Sequence, residues 1–178
     1  CDPPSDEHFR ILKQFFGHAS FRPMQWKIVH SVLVEQKDVC AVMATGYGKS
    51  LCYQYPGVFS DKPTVVISPL ISLMEDQVMS LSVANIGACY LGSSQTQMGK
   101  VKEDLLKGKY KVVYMTPEFA EGAELLLKNL DNKVEALHLF CSLSARTFLM
   151  ESSLCHVAYN CSLSASTSLS YSPCKICI

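Results

Sequence analysis

Residues 44–50 read ATGYGKS, and this stretch decides the fold class of the chain. The apolar run VCAVM precedes it at 39–43 and LCYQY follows it at 51–55, which is the order strand, glycine-rich loop, helix that a phosphate-binding loop requires. The glycines allow the backbone to curl so that its N–H groups face a phosphate at the positive end of the following helix. The stretch therefore predicts a P-loop within an α/β domain.

The polar residues of this loop have the chemistry to bind a nucleotide. Lys49 is placed to reach the β and γ phosphates of ATP, and the Ser50 hydroxyl is placed to coordinate Mg²⁺. The bland alternative is a glycine turn between a strand and a helix with an incidental lysine. One departure from the strict pattern is Met43, which stands where the first glycine is usually found.

The rest of the chain alternates apolar strand patterns with amphipathic helix patterns. The predicted strands are 39–43, 64–68, 88–91 and 111–115, and the predicted helices are 6–16, 23–34, 50–55, 70–83, 97–107 and 117–130. This alternation favours a parallel sheet covered by helices on both faces, with right-handed crossovers. Because ligands bind at the carboxyl ends of such strands, we expect the loops after 43, 68 and 115 to converge on one edge.

Three further segments occur in a defined order around the loop: FRPMQ at 21–25, SPLISLMEDQ at 68–77 and YMTPE at 114–118. With the loop, they resemble the motifs of RecQ-family DNA helicases of superfamily 2, over about residues 6–130. The resemblance implies a RecA-like P-loop NTPase fold. It also implies ATP and Mg²⁺ as ligands, and a parent activity that couples ATP hydrolysis to 3′ to 5′ unwinding of DNA.

The first of these segments is a candidate for reading the base. The Gln25 carboxamide can pair with both N6 and N7 of adenine, although Gln25 can also be an ordinary solvated helix residue. The resemblance adds Arg22 as a neighbour of the base. The candidate nucleotide-binding residues are therefore Arg22, Gln25, Thr45, Gly46, Tyr47, Gly48, Lys49, Ser50 and Leu51, with Ser50 also the candidate magnesium ligand.

The other two segments are candidates for binding single-stranded or forked DNA, a role that rests on the resemblance. Their residues also suit helix starts, because Ser and Thr cap helices and Pro is favoured in the first turn. Both interpretations stay open at this point. The candidate DNA-binding residues are Ser68, Pro69, Leu70, Ser72, Asp76, Gln77, Thr116, Pro117 and Glu118.

After about residue 130 the resemblance stops and the composition changes. Residues 141–178 contain ten Ser and five Cys but three charged residues, against 29 charged residues in 1–140. We expect three regions: a lead-in helix in 1–20, a partial ATP-binding lobe in 21–130, and a divergent tail in 131–178 outside the fold. The chain has no Asp-Glu-x-His or Asp-Glu-x-Asp box, and the segment VEALH at 134–138 lacks the metal-binding Asp.

The missing box leaves three hypotheses: an inert helicase fragment, a module that binds nucleotide and DNA without catalysis, and an unrelated P-loop kinase. The formal charge is zero, so any DNA contact must be local and is expected to be weak. A zinc site from Cys155, His156, Cys161, Cys174 and Cys177 is a further, irregularly spaced alternative. The oligomeric state stays open.

The start of the chain, CDPP, has no initiator Met and no signal peptide in front of it, which suggests an excised or incomplete intracellular product. The resemblance implies a nuclear location. No apolar run is long enough to cross a bilayer, so we expect no membrane partner.

Overall fold

The computed structural model describes residues 1–60, 62–123 and 125–126, together with the backbone of 136–139 and 174–177. Within these residues the helices are α1 (Asp6–Phe16), α2 (Pro23–Leu33), α3 (Lys49–Phe59), α4 (Ile71–Val83), α5 (Met98–Leu106) and α6 (Pro117–Gly122). The strands are β1 (Val39–Cys40), β2 (Thr64–Ile67), β3 (Ala88–Leu91), β4 (Val112–Met115), β5 (Ala136–Leu139) and β6 (Cys174–Cys177).

The strands form one sheet in the order β1-β6-β5-β2-β4-β3, and every neighbouring pair is parallel. The prediction of a parallel sheet with flanking helices is confirmed. Because the strands are parallel, their carboxyl ends lie along one edge. The loops after β1, β2, β3 and β4 therefore open on the same side of the molecule.

The core lies on both faces of the sheet. On one face, Val113 and Met115 of β4 pack in a cluster that includes Val101 and Leu105 of α5. On the other face, Val112 and Tyr114 join a cluster with Tyr53 of α3 and with Met74 and Leu81 of α4. Successive residues of a strand point to opposite faces, so a strand covered on both sides must be apolar throughout. This requirement explains the uninterrupted apolar run of β4.

Helix α3 is longer than the sequence indicates. The predicted end was residue 55. Proline inside a helix removes a backbone donor, so Pro56 is an unusual interior residue. The helix instead continues through Pro56 to Phe59. Its residues from Leu51 to Gly57 are buried, and this packing compensates for the lost hydrogen bond. Gly57 is needed there because a β-carbon would collide with the Lys111 carbonyl and lie 2.9 Å from the Thr64 nitrogen.

The tail differs from its prediction at two segments. We expected residues 131–178 to lie outside the fold, but β5 pairs with β2 and β6 pairs with both β5 and β1. Strand β1 therefore joins the sheet through the tail. The physical reason is backbone pairing, because an unpaired edge of β2 beneath the helices would leave buried donors and acceptors at about 1–3 kcal/mol each. The rest of 131–178, including Cys155, His156 and Cys161, lies outside the described residues.

Strand β1 is shorter than the predicted 39–43, since the ladder ends at Cys40. Met43 is buried against Ile28, Val32 and Cys52, whereas Val42 is 86 % exposed. Among the described residues, no helix is long and apolar enough to span a membrane.

Helix α1 packs on α3 through an aromatic cluster around His8. The His8 ring stacks on Phe59 with centroids 4.1 Å apart, and its Nδ1 is 2.8 Å from the Tyr55 hydroxyl oxygen. The Trp26 ring of α2 packs edge to face with the His8 ring, with the ring centroids 4.8 Å apart. Burial lowers the pKa of His8, the nearby Glu7 opposes that shift, and His30 adds to it. The folded state therefore favours the neutral imidazole.

The close approach at Gly57 predicts a stability difference between two glycine-to-alanine variants. Gly57→Ala should destabilise the fold by about 1–3 kcal/mol, because the new methyl group meets backbone atoms that cannot move aside. Gly99→Ala, in a helix with nothing within 4 Å of the added carbon, should be neutral or stabilising by up to about 1 kcal/mol. Urea unfolding of both variants checks this. A Gly57→Ala protein as stable as wild type would contradict the packing described for α3.

The lowered pKa of His8 predicts that the free energy of unfolding decreases as the pH is lowered. Its neutral form is favoured by folding, so its contribution is complete above the unfolded pKa of about 6.5 and is lost as the pH falls below that value. Thermal unfolding from pH 7.5 to 5 should show this loss, and His8→Gln should flatten the pH dependence. His18→Gln, at an exposed position, is the matched control and should leave the dependence unchanged.

Candidate nucleotide-binding site

The loop between β1 and α3 has the conformation that a phosphate cradle requires. Gly46 and Gly48 have φ angles of 80° and 84°, in the left-handed region that favours glycine. The Tyr47 N–H donates to the Ala44 carbonyl at 3.2 Å, and Gly48 is the residue from which α3 starts. The loop is therefore bent back on itself, with the positive end of α3 directly behind it.

The two glycines differ in what surrounds them. A β-carbon at Gly48 would lie 2.5 Å from Gln25 Nε2, whereas one at Gly46 would meet nothing within 4 Å. Gly48 is thus required both by its backbone conformation and by the close approach of the Gln25 side chain. Gly46 is required by its conformation alone.

Gln25 holds the amino end of α2 against the loop. Its side chain is 5 % exposed. Its Oε1 accepts from the Arg22 N–H at 2.9 Å, and its Nε2 donates to the carbonyls of Tyr47 at 3.2 Å and Gly48 at 3.1 Å. The structure therefore brings this candidate to the loop, where its amide is bonded to protein. To pair with adenine, the amide must exchange at least one of these bonds.

Arg22 lies over the same loop. Its guanidinium donates to the Gly46 carbonyl at 3.2 Å and stands 5.1 Å from the centre of the Tyr47 ring. A planar cation over an aromatic ring can also stack on a base. Both candidates from the first motif therefore contact the loop that they were predicted to serve.

Lys49 and Ser50 occupy the first turn of α3 and are half-buried. No described residue forms an ion pair or hydrogen bond with the Lys49 ammonium. Ser50 Oγ accepts from the Tyr53 hydroxyl at 3.2 Å and keeps a second lone pair. The described residues contain no cluster of three His, Cys, Asp or Glu side chains. A magnesium ion held by Ser50, phosphate oxygens and water fits this donor set.

The segment after β2 divides into an inner and an outer group. Ser68 is 2 % exposed, and its Oγ accepts from the Leu70 N–H at 3.3 Å, so this hydroxyl shapes the turn. Gln77 is half-buried and accepts from Gln54 Nε2 at 2.8 Å. The outer group, which faces solvent, consists of Pro69, Leu70, Ser72 and Asp76.

The segment after β4 is a helix start. Thr116 Oγ1 accepts from the Phe119 N–H at 3.2 Å, Pro117 is buried in the first turn, and Glu118 is exposed. The capping interpretation of Thr116 is therefore correct, and it leaves Glu118 as the residue of this motif that faces solvent. A further loop, which sequence reasoning missed, begins at Gly92 after β3, where a β-carbon would be 3.0 Å from Thr116 Cγ2. Its signal was a Gly-Ser-Ser run directly after an apolar strand.

The sequence directly after β5, the strand next to β2, contains no acidic residue. Strand β5 ends at Leu139, and the sequence continues with Phe140 and Cys141, the first carboxylate afterwards being Glu151. Glu135, in the segment that faintly resembles an acidic box, precedes the strand in the sequence instead of following it. The sequence therefore lacks, directly after the strand between β2 and β6, the carboxylates that hydrolysis needs.

Comparison with known proteins places this geometry in a family. The DEAD/DEAH box helicase family model matches residues 22–140, which include the phosphate loop, the motifs at 68–77 and 114–118, and residues 22–25 of the first motif. The chain belongs to the DEAD/DEAH box helicases. It is 53 % identical over 131 residues to the mouse bifunctional 3′-5′ exonuclease/ATP-dependent helicase WRN, and 49 % identical over 110 residues to the Haemophilus influenzae ATP-dependent DNA helicase RecQ. The resemblance of residues 43–52 and 66–78 to the Werner syndrome helicase agrees with the first of these.

The matched regions are small parts of those relatives. They cover 74 % and 61 % of this chain but 9 % and 18 % of the two proteins. Solved structures show the same fold at low identity. The DUF1998 helicase MrfA bound to DNA and AMPPNP has a TM-score of 0.75 at 17 % identity, covering 99 % of this chain and 26 % of MrfA. The yeast DEAD-box splicing factor Prp28 has a TM-score of 0.67 at 13 % identity, covering 94 % and 42 %.

The Lys49 ammonium, which has no partner among the residues that the structure describes, predicts a variant that loses ATP binding without losing stability. Lys49→Ala should weaken ATP binding more than tenfold, because a charge-assisted contact to phosphate is worth roughly 1.5–3 kcal/mol. Its unfolding midpoint should stay at the wild-type value. Titration calorimetry with Mg·AMP-PNP, alongside thermal unfolding, measures both. Lys37→Ala, at an exposed lysine before β1, is the control, and equal affinities for wild type and Lys49→Ala would contradict the phosphate role.

Proposed function

We propose that this chain is the ATP-binding and DNA-binding part of a RecQ-like motor lobe, and that its 178 residues bind ATP without hydrolysing it. The observation that carries the proposal is a contrast at one sheet edge. The loop after β1 presents Lys49 and Ser50, while β5 is followed by Phe140 and Cys141. Binding groups are present among the described residues, and the sequence directly after β5 lacks the acidic pair that activates water.

The nucleotide-binding half of the proposal rests on the contacts around the loop. Gly46 and Gly48 shape a cradle of N–H groups for phosphate oxygens, and Lys49 supplies the cation. Ser50 would hold Mg²⁺ together with phosphate and water. On the adenine side, Arg22 and Gln25 already contact the loop, so a base bound beside them lies next to its own phosphates.

The DNA-binding half is weaker and local. The chain carries no net charge, so its field does not attract DNA from a distance. The available groups are those at the loop edge: exposed Ser72 and Asp76 on α4, Glu118 on α6, and backbone amides where the helices start. Hydroxyls and N–H groups are common contacts of a nucleic-acid backbone, whereas carboxylates repel phosphates. We therefore expect weak binding of single strands that depends on these helix starts.

Hydrolysis requires more than binding, because catalysis depends on interactions that are stronger in the transition state. In ATP-hydrolysing motors, carboxylates hold the metal and orient water, and an arginine neutralises the charge that develops on the phosphate. Lys49 and Ser50 would bind the phosphates and the metal of the ground state, but they do not orient water or neutralise the charge of the transition state. The P-loop kinase alternative is disfavoured by the family match and by the position of Gln25 against the loop.

An ATPase assay tests the proposal directly. The 178-residue protein should bind Mg·AMP-PNP and show turnover near the uncatalysed level, with or without single-stranded DNA, because loss of an arginine finger alone costs about 10³–10⁵ in rate. Lys49→Ala reports contaminating activity. Turnover that DNA stimulates and that Lys49→Ala abolishes would overturn the proposal, and it would direct attention to Glu118 or Glu135. Absence of nucleotide binding would favour the inert fragment.

A further inference from the structure

A series of contacting side chains runs beneath the surface from the P-loop helix to α4. Tyr53 donates to Ser50 Oγ at 3.2 Å, and the Tyr53 and Tyr114 rings meet edge to face with their centroids 6.5 Å apart. Gln54 Nε2 donates to the Tyr114 hydroxyl at 3.0 Å and to Gln77 Oε1 at 2.8 Å. Five side chains thus connect the candidate magnesium ligand with the helix that carries Ser72 and Asp76.

Gln54 is the branch point of these contacts. It uses both Nε2 hydrogens, one toward Gln77 and one toward Tyr114. The two hydrogen bonds diverge from one planar amide group, so a displacement of either partner changes the geometry of the other hydrogen bond. The Ser50 end is the end that a bound nucleotide would alter.

Burial makes these bonds expensive to lose. Tyr114 is 1 % exposed, Tyr53 4 % and Gln54 7 %. Burial also raises the pKa of both tyrosines, so each stays protonated and able to donate at neutral pH. A polar group stranded at this depth without a partner costs about 1–3 kcal/mol. The side chains are therefore constrained to move together.

The far end of this series of contacts is closely packed. A shallow cleft lined by Tyr53, Tyr114 and Gln77 together with Ser68 and Met74 has no space for a water molecule. Helix α4 borders this cleft through Met74 and Gln77, and its opposite face is exposed at Ser72, Asp76 and Met79. A displaced Gln54 must therefore move Gln77 with it or lose the hydrogen bond between them.

We propose that Gln54 is the positioning residue that couples nucleotide binding at Ser50 to the placement of α4, and through α4 to the candidate DNA-binding edge. The inference rests on the proposed function, because it assumes that the loop binds nucleotide. Gln54 is the branch point, since its Nε2 donates hydrogen bonds both to Tyr114 on the sheet and to Gln77 on the helix. It touches neither nucleotide nor DNA itself.

Hydrogen exchange of α4 amides, measured with and without Mg·AMP-PNP and without DNA, tests the coupling. In wild type, nucleotide should change exchange in residues 71–83 by about fivefold or more, the lower range of ordinary coupling between sites. In Gln54→Leu and in Gln77→Leu that change should fall to less than about twofold, because either substitution cuts the same connection. The double variant should show the same reduced change in α4 exchange as the single variants, because both substitutions remove the same hydrogen bond between residues 54 and 77.

Two controls separate coupling from simple damage. Gln14→Leu makes the same substitution at an exposed position of α1 and should keep the wild-type response. Protection of the loop amides at 45–50 by Mg·AMP-PNP should persist in Gln54→Leu, with nucleotide affinity within about threefold of wild type, because Gln54 positions α4 and does not hold the ligand. All variants are compared well below their unfolding midpoints.

The outcomes are distinguishable. A wild-type protein that binds Mg·AMP-PNP without any change in α4 overturns the coupling and leaves the proposed function intact. So does a Gln54→Leu protein with an undiminished α4 response. Failure of wild type to bind Mg·AMP-PNP overturns the proposed function and this inference with it.

Discussion

The parallel pairing of the strands is the constraint on which the rest of this structure depends. Parallel strands place their carboxyl ends on one edge, and the helices that connect them must start there. The phosphate loop, the turn at Ser68 and the cap at Thr116 consequently share a surface although they are far apart in sequence. The same pairing forces the strands to be apolar on both faces, which leaves the polar chemistry to the loops.

Two buried glutamines organise the polar interior around the loop. Gln25 ties α2 to the carbonyls of Tyr47 and Gly48, and Gln54 ties α3 to Tyr114 and Gln77. A carboxamide suits both positions because it donates and accepts at once, and because it carries no charge to desolvate. The loop is thereby held from two sides by groups whose loss would strand a partner without a hydrogen bond.

The tail shows that completing a sheet and completing a catalytic site are separate requirements. Four-residue segments at 136–139 and 174–177 satisfy the backbone of β1 and β2, a task that most apolar sequences can perform. Hydrolysis demands particular side chains at the end of the strand. In the sequence, β5 is followed by Phe140 and Cys141 instead of carboxylates, so the sheet extends further along the chain than the recognised motifs do.

The sequence alone determined the P-loop, the α/β class, the elements from α1 to β4 to within a few residues, and the family. These follow from local signals: glycines where φ is positive, apolar periodicity, and helix caps such as Thr116. Tertiary structure decided the rest. Contacts between residues distant in sequence produce three features: the continuation of α3 through Pro56, the two strands of the tail and the hydrogen bonds of Gln54. No local sequence pattern predicts these features. For the same reason Gln25 could be recognised as a candidate, while its bonds to the loop became visible through the fold alone.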